Sequence, residues 1–209
     1  YVISCQFLSD DQFSYLVMNT SGQYVLQIMD MSTQEVSQSA PIGDGSDYIY
    51  DYICFENQWY FESNTQIDVY SASFEKVGTI MLGDYEAQGA FSFYIDNNSL
   101  RILLIADSFY LMTIDVENLS LAEAGNVSDY SNYEYTVSSG YVCDAAGIYK
   151  MNVDSSQKEE ILDWNQVDVP PSQYPYNIPS DFVLSDNCVV LTYSSVDRSG
   201  SDDIVLLTH

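Results

Sequence analysis

The sequence predicts an all-β chain built from repeated small sheets, and three observations carry that expectation. An alternating apolar stretch recurs: residues 109–115 (FYLMTID), 24–30 (YVLQIMD), 66–71 (QIDVYS) and 148–154 (IYKMNVD) share one shape, and 203–208 (DIVLLT) is a later copy. The steps between the closing residues Asp30, Ser71, Asp115 and Asp154 are 41, 44 and 39. Composition agrees, because the apolar content is rich in Tyr, Val, Ile and Phe, with 19 tyrosines, and these residues suit pleated strands better than helices. A period of about 40 residues with several short strands per unit is the mark of a blade-like repeat. The expected fold is a β-propeller of about five four-stranded, WD40-like blades, spanning residues 1–42, 48–82, 90–127, 133–164 and 181–209.

Each repeat can be parsed from its alternation and its turns. In the first, strands fall at 1–8, 12–19, 24–31 and 36–42, and the turns at 9–11 and 20–23 are rich in Ser, Asp and Gly, which accept turn dihedrals. In the second, 48–56 is nearly continuous apolar and aromatic surface, as expected of an inner strand covered on both faces, followed by 58–64, 66–73 and 76–82. The third gives 90–95, 101–106, 109–115 and 119–124, with Asn97-Asn98 as a hairpin turn. The fourth gives 133–138, 141–145, 147–154 and 158–164. Residues 165–180 then break the period with four of the five prolines, which marks a stiffened loop. The fifth has 182–185, 188–195 and 203–208 and lacks an outermost strand, so either a strand lies elsewhere or the ring is open.

The charge balance excludes partners. Thirty-one acids face Lys76, Lys150, Lys158, Arg101 and Arg198, for a formal net charge of −26. Nucleic acid and anionic membrane would be repelled by such a surface. No apolar run is long enough to span a bilayer, and Tyr1 already reads as strand, so a mature or trimmed chain without membrane insertion is expected. Cysteines at 5, 54, 143 and 188 form no CxxC pair and have no nearby His, against zinc or thioredoxin chemistry. They read either as buried thiols or as pairs on neighbouring blades. Residues 43–47 carry two aspartates but lack the ligand spacing of a calcium loop, so neither metal nor cofactor is expected.

The last third of the chain carries a resemblance. Tyr133-Glu-Tyr, Gly147-Ile-Tyr-Lys-Met, Glu159-Glu-Ile-Leu-Asp-Trp164 with Val167-Asp-Val169, the strand from Asp181 to Asp186 and the closing 204–208 form a series. It resembles the propeller-like region preceding the solute-binding domain of large extracellular Firmicutes lipoproteins of the ABC-transporter type. It departs at Asp186-Asn187, where the family has Asp-Gly, and at His209, where it has Lys. The resemblance implies an extracellular module anchored at a Gram-positive cell surface, non-enzymatic, beside a C-terminal solute-binding domain in the parent chain, with carbohydrate uptake as its context.

The chemistry legible in the residues points the same way. Triad or Cys-His catalysis needs a positioned imidazole, and the only histidine is His209. No phosphate loop is present. Glycoside hydrolysis needs only two carboxylates, so a propeller-fold glycan-active enzyme stands as the alternative. Recognition of a carbohydrate or protein ligand is the leading expectation, with Trp164, Tyr174 and Tyr176 on or beside the Pro-stiffened loop as ligand-binding candidates. The competing reading is that Trp164 packs in its strand while the tyrosines cover its edge.

Overall fold

The computed structural model describes residues 2–43, 48–83, 92–105, 109–127, 136–138, 140–144, 146–152, 157–166, 181–185, 188–193 and 203–208. They form five antiparallel sheets in which strand order follows chain order. The first holds β1 (Val2–Ser9), β2 (Gln12–Met18), β3 (Tyr24–Asp30) and β4 (Val36–Gln38). The second holds β5 (Ile49–Phe55), β6 (Gln58–Ser63), β7 (Gln66–Ser71) and β8 (Lys76–Met81). The third holds β9 (Ser92–Asp96), β10 (Ser99–Ile105), β11 (Phe109–Asp115) and β12 (Ser120–Val127). The fourth holds β13 (Thr136–Ser138), β14 (Tyr141–Cys143), β15 (Gly147–Asn152) and β16 (Gln157–Asp163), and the fifth β17 (Asp181–Ser185), β18 (Cys188–Tyr193) and β19 (Asp203–Thr208).

Local chemistry sets the turns. Glu56-Asn57 and Asn97-Asn98 both take positive φ at two successive residues, the conformation that matches strand twist in a two-residue hairpin. The acid that closes the repeated motif has a turn-forming task. Asp30 Oδ1 accepts from the backbone N–H of Ser32 and of Thr33 and from the Ser32 hydroxyl, at 2.6–2.9 Å. Asp115 accepts from Glu117 and Asn118 in the same way. These donors, the Ser32 hydroxyl foremost, draw the exposed Asp30 carboxyl down to about 2. The recurring acid therefore folds the link to the outermost strand, and Ser71 Oγ, accepting from the Glu75 N–H, does the same in the second sheet.

The sheets stack through their first strands. β1 packs on β5, β5 on β9, β9 on β13 and β13 on β17, whereas the outer strands β8 and β12 meet once. Innermost first strands in chain order are the layout of propeller blades about an axis. Among the described residues no comparable contact joins β17 back to β1. The second sheet is covered on both faces, as the continuous apolar character of its first strand foretells. Tyr52, Trp59, Phe61 and Tyr70 pack against Leu16, Tyr24 and Leu26 of the first sheet, while Ile53, Phe55, Tyr60, Ile67 and Val69 pack against Phe93, Leu100, Ile102 and Met112 of the third.

Hairpin register makes positions in successive sheets comparable. Gln12 pairs with Asp30 and Gln58 with Ser71 at the same end of the second and third strands, and the Arg101–Thr113 register, continued by two residues, brings Ser99 level with Asp115. Counting from these residues, Phe13, Trp59 and Leu100 are equivalent, as are Tyr15, Phe61 and Ile102, and also Leu16, Glu62 and Leu103. The face carrying the first two trios can be called leading, because in the second and third sheets it is the face buried against the preceding sheet. The face carrying the last trio is trailing.

Candidate functional site

Two features of the first three sheets depart from simple core packing. One is a pair of acids near the axis. Asp51 on β5 lies directly opposite Glu62 on β6, next to a register irregularity between Ile49 and Asp51. Directly opposed residues on antiparallel strands hold their Cβ atoms roughly 4.5–5.5 Å apart, so the two side chains share one patch. Asp51 Oδ1 accepts from the Ser4 hydroxyl at 2.9 Å, and Oδ2 accepts from the Phe93 N–H at 3.2 Å. A single carboxylate on the central first strand thus ties together β1, β5 and β9. The neighbouring Tyr52 strengthens the tie, with its carbonyl accepting from Gln6 Nε2 and its hydroxyl bonded to Ser14 Oγ at 2.8 Å.

Glu62 is the anomaly. It is 0% exposed, as are Leu16 and Leu103 at the equivalent trailing positions. Neither of its carboxylate oxygens has a hydrogen-bond partner. Burial first and the charge of Asp51 second push its carboxyl well above the usual carboxylate range. The contrast with Asp68 on β7 of the same sheet is direct. That buried carboxylate accepts from Gln66 Nε2, Thr79 Oγ1 and the Lys76 ammonium at 2.8–3.0 Å. Sequence reading flagged neither acid; the visible signal was a glutamate at the place in the alternation where the first and third repeats carry leucine.

The second feature is the leading face of the first sheet. Phe7 and Phe13 lie side by side with ring centroids 5.2 Å apart and planes tilted by 57°, and Tyr15 stacks on Phe13 at 5.8 Å. Phe7 is 70% exposed, and Phe13, Tyr15, Val17 and Met29 are partly exposed beside it. Their register equivalents in the second sheet, Trp59 for Phe13 and Phe61 for Tyr15, are buried against the first sheet. An apolar row of this kind on an outer face is a surface suited to contact.

The residues singled out from the sequence lie elsewhere. Trp164 opens a short 3-10 turn, Trp164–Gln166, directly after β16. Its indole N–H donates to the Asp144 carbonyl at 2.8 Å, and its half-buried ring packs beside Cys143, Ile148, Leu162 and Phe182 between the fourth and fifth sheets. Tyr174 and Tyr176, most of the Pro-rich segment and residues 44–47 fall outside the described residues. Cys5, Cys54 and Cys143 are thiols, the Cys143 group pushed up to about 12 by burial. Among the described residues no cluster of three or more His, Cys, Asp or Glu side chains is placed to hold a metal, and no helix is long and apolar enough to cross a membrane.

No protein-family profile and no curated protein matches the sequence. Its fold is similar to that of the Neurospora crassa Pan2 WD40 domain, with a TM-score of 0.64 and 11% identity over 99% of this chain and 62% of that one. A Bacteroides thetaiotaomicron protein of unknown function matches with a TM-score of 0.49, 10% identity and coverage of 77% and 43%. An oligogalacturonate lyase solved with manganese matches with a TM-score of 0.49, 11% identity and coverage of 95% and 62%. The chain spans less than two thirds of the length of these solved structures. At such identities the likeness speaks for architecture alone: the chain has the all-β, WD40-like fold of a β-propeller.

Proposed function

We propose that this chain is a non-catalytic recognition or spacer module, displayed outside a Gram-positive cell next to the solute-binding domain of a larger protein. The observation that carries the reading is the contrast between an open aromatic row and a shut acid pair. Acid–base work on a glycan needs both carboxyl groups within reach of the substrate. Glu62 is fully buried and Asp51 is engaged by Ser4 and Phe93, so neither is presented to a sugar. In the row of Phe7, Phe13 and Tyr15, Phe7 is open to solvent and the other two are partly so. It favours a protein ligand over a carbohydrate, because sugars need hydrogen-bonding groups around the stacking ring and Phe7 and Phe13 supply none. For a carbohydrate ligand the candidates remain Trp164, Tyr174 and Tyr176; the Trp164 indole N–H is already committed to Asp144.

The test separates the two classes of function. Soluble polysaccharides are incubated with the protein and reducing ends are measured. Release of sugar that is lost in Glu62→Gln would establish the glycan-active alternative and overturn this reading. In parallel, amide exchange over β1 and β2 is compared between this chain and the longer parent protein. Selective slowing in the parent marks the aromatic row as a protein-docking face, and unchanged exchange rejects it.

A further inference from the structure

A buried acid with no hydrogen-bond donor is stable only if something neutralises it. Among the described residues no cation lies against Glu62. The apolar cluster on its side of the second sheet holds Ile53, Ile67 and Val69, with Phe93, Leu100 and Ile102 facing it from the third. The titratable groups in and around that cluster are Asp51 on β5, Tyr60 on β6, and Tyr50 and Tyr110 at its edge. Tyr60 donates to Gln58 Oε1 at 2.9 Å, which turns its hydroxyl away to another partner. The Lys76 ammonium pairs with Asp68; Arg101, whose Nε is buried without a partner, alternates with Leu100 and Ile102 and so lies on the face of the third sheet turned away from Glu62. In a setting lined by hydrocarbon on one side and by the Asp51 carboxylate on the other, the species that neutralises Glu62 is a proton on its own carboxyl group.

Geometry gives that proton a consequence. Asp51, directly across the strand pair, is the carboxylate that ties β1 to β9. With leucine at both equivalent positions, the repeat packs without an acid there, so the carboxyl adds sensitivity and no packing advantage. We propose that Glu62 is a proton-binding site controlling the axial tie: protonated, it leaves the Ser4–Asp51–Phe93 bridge intact, and on releasing its proton to solvent it opposes Asp51 with a second negative charge and loosens the first three blades. The device favours the closed arrangement at low pH and opens it as pH rises through the raised value of the Glu62 carboxyl.

Three measurements on the intact chain test it. In infrared difference spectra, the carbonyl band of a protonated carboxylic acid, absent in Glu62→Gln, persists well above the ordinary glutamate value of 4.5 and disappears as the pH is raised further. The melting temperature of the wild type falls with rising pH relative to Glu62→Leu, which keeps the fold because leucine fills the equivalent sites, and Asp51→Asn shrinks that pH dependence. Exchange at the Phe93 amide, corrected for intrinsic base catalysis, accelerates across the same pH range in the wild type only. An acid band titrating near 4.5, or wild-type and Glu62→Leu melting curves that stay parallel across pH, overturns the proposal.

Discussion

Position for position the first two sheets are the same object, with Phe13 matching Trp59, Tyr15 matching Phe61 and Leu16 matching Glu62, yet the environments are inverted. On the leading face, the second sheet buries Trp59 and Phe61 against the first, while the first sheet leaves Phe13 and Tyr15 partly exposed. On the trailing face, both sheets bury the residue completely, but one buries a hydrocarbon and the other an acid. The comparison teaches that the repeat specifies which positions are able to pack, whereas the neighbour decides whether they do. It also isolates Glu62 as a substitution made inside a conserved geometry.

The largest test of the comparison removes the paired aromatics. Trp59→Ala empties a site between two sheets and is expected to cost about 3–5 kcal/mol, while Phe13→Ala at the matching position costs less, about 1–3 kcal/mol, because part of its ring stays in solvent. Urea unfolding of both variants measures the gap; equal losses would mean that the leading face of the first sheet is covered in solution.

Next in size is the trailing position. Glu62→Leu makes the second sheet like the first and is expected to stabilise the chain by roughly 1–3 kcal/mol at neutral pH, the order of a buried unsatisfied polar group. A destabilised variant would show that the acid has a partner. The pH dependence sharpens this point. Because the folded-state value of Glu62 lies above its unfolded value, the folded chain binds the extra proton. Stability is then highest below about 4.5 for this group and falls as pH rises through the folded value. Asp30 has the opposite sign: held down at about 2, it contributes stability above 3.8 that is lost as pH falls toward 2. Thermal melts of the wild type, Glu62→Leu and Asp30→Asn across pH should show the fall in stability above about 4.5 vanish in the first variant and the loss toward pH 2 diminish in the second.

The smallest expected effect is general. A net charge of −26 repels itself over the whole surface, so added sodium chloride raises the melting temperature of all variants by similar, small amounts. A salt response concentrated in the wild type and missing in Glu62→Leu would instead assign the repulsion to the Asp51–Glu62 pair.

Much of the strand layout was legible because alternation and turn residues act locally. The stretch 109–115 reads as strand and is β11, and the expected turn at Asn97-Asn98 is a two-residue hairpin with positive φ at both residues. The Glu56-Asn57 turn takes the same conformation, although Glu is an uncommon choice there and gave a weaker signal. Site residues were harder to read. Trp164 stood out by type, but its indole N–H is held by a carbonyl 20 residues earlier in the chain. Glu62 did not stand out among 31 acids, because its significance depends on burial and on facing Asp51 from a neighbouring strand.

By itself the sequence determined the period, the strands, the turns and the acids Asp30 and Asp115 that close the third strands of the first and third sheets, since these depend on contacts between residues near one another in the chain. Only the tertiary structure decided that Phe13 meets solvent while Trp59 does not, and that Asp51 bridges β1 and β9 while Glu62 stands behind it without a donor. Burial and charge pairing are properties of surfaces brought together from residues some 40 positions apart. No local pattern records which of those surfaces will find a partner.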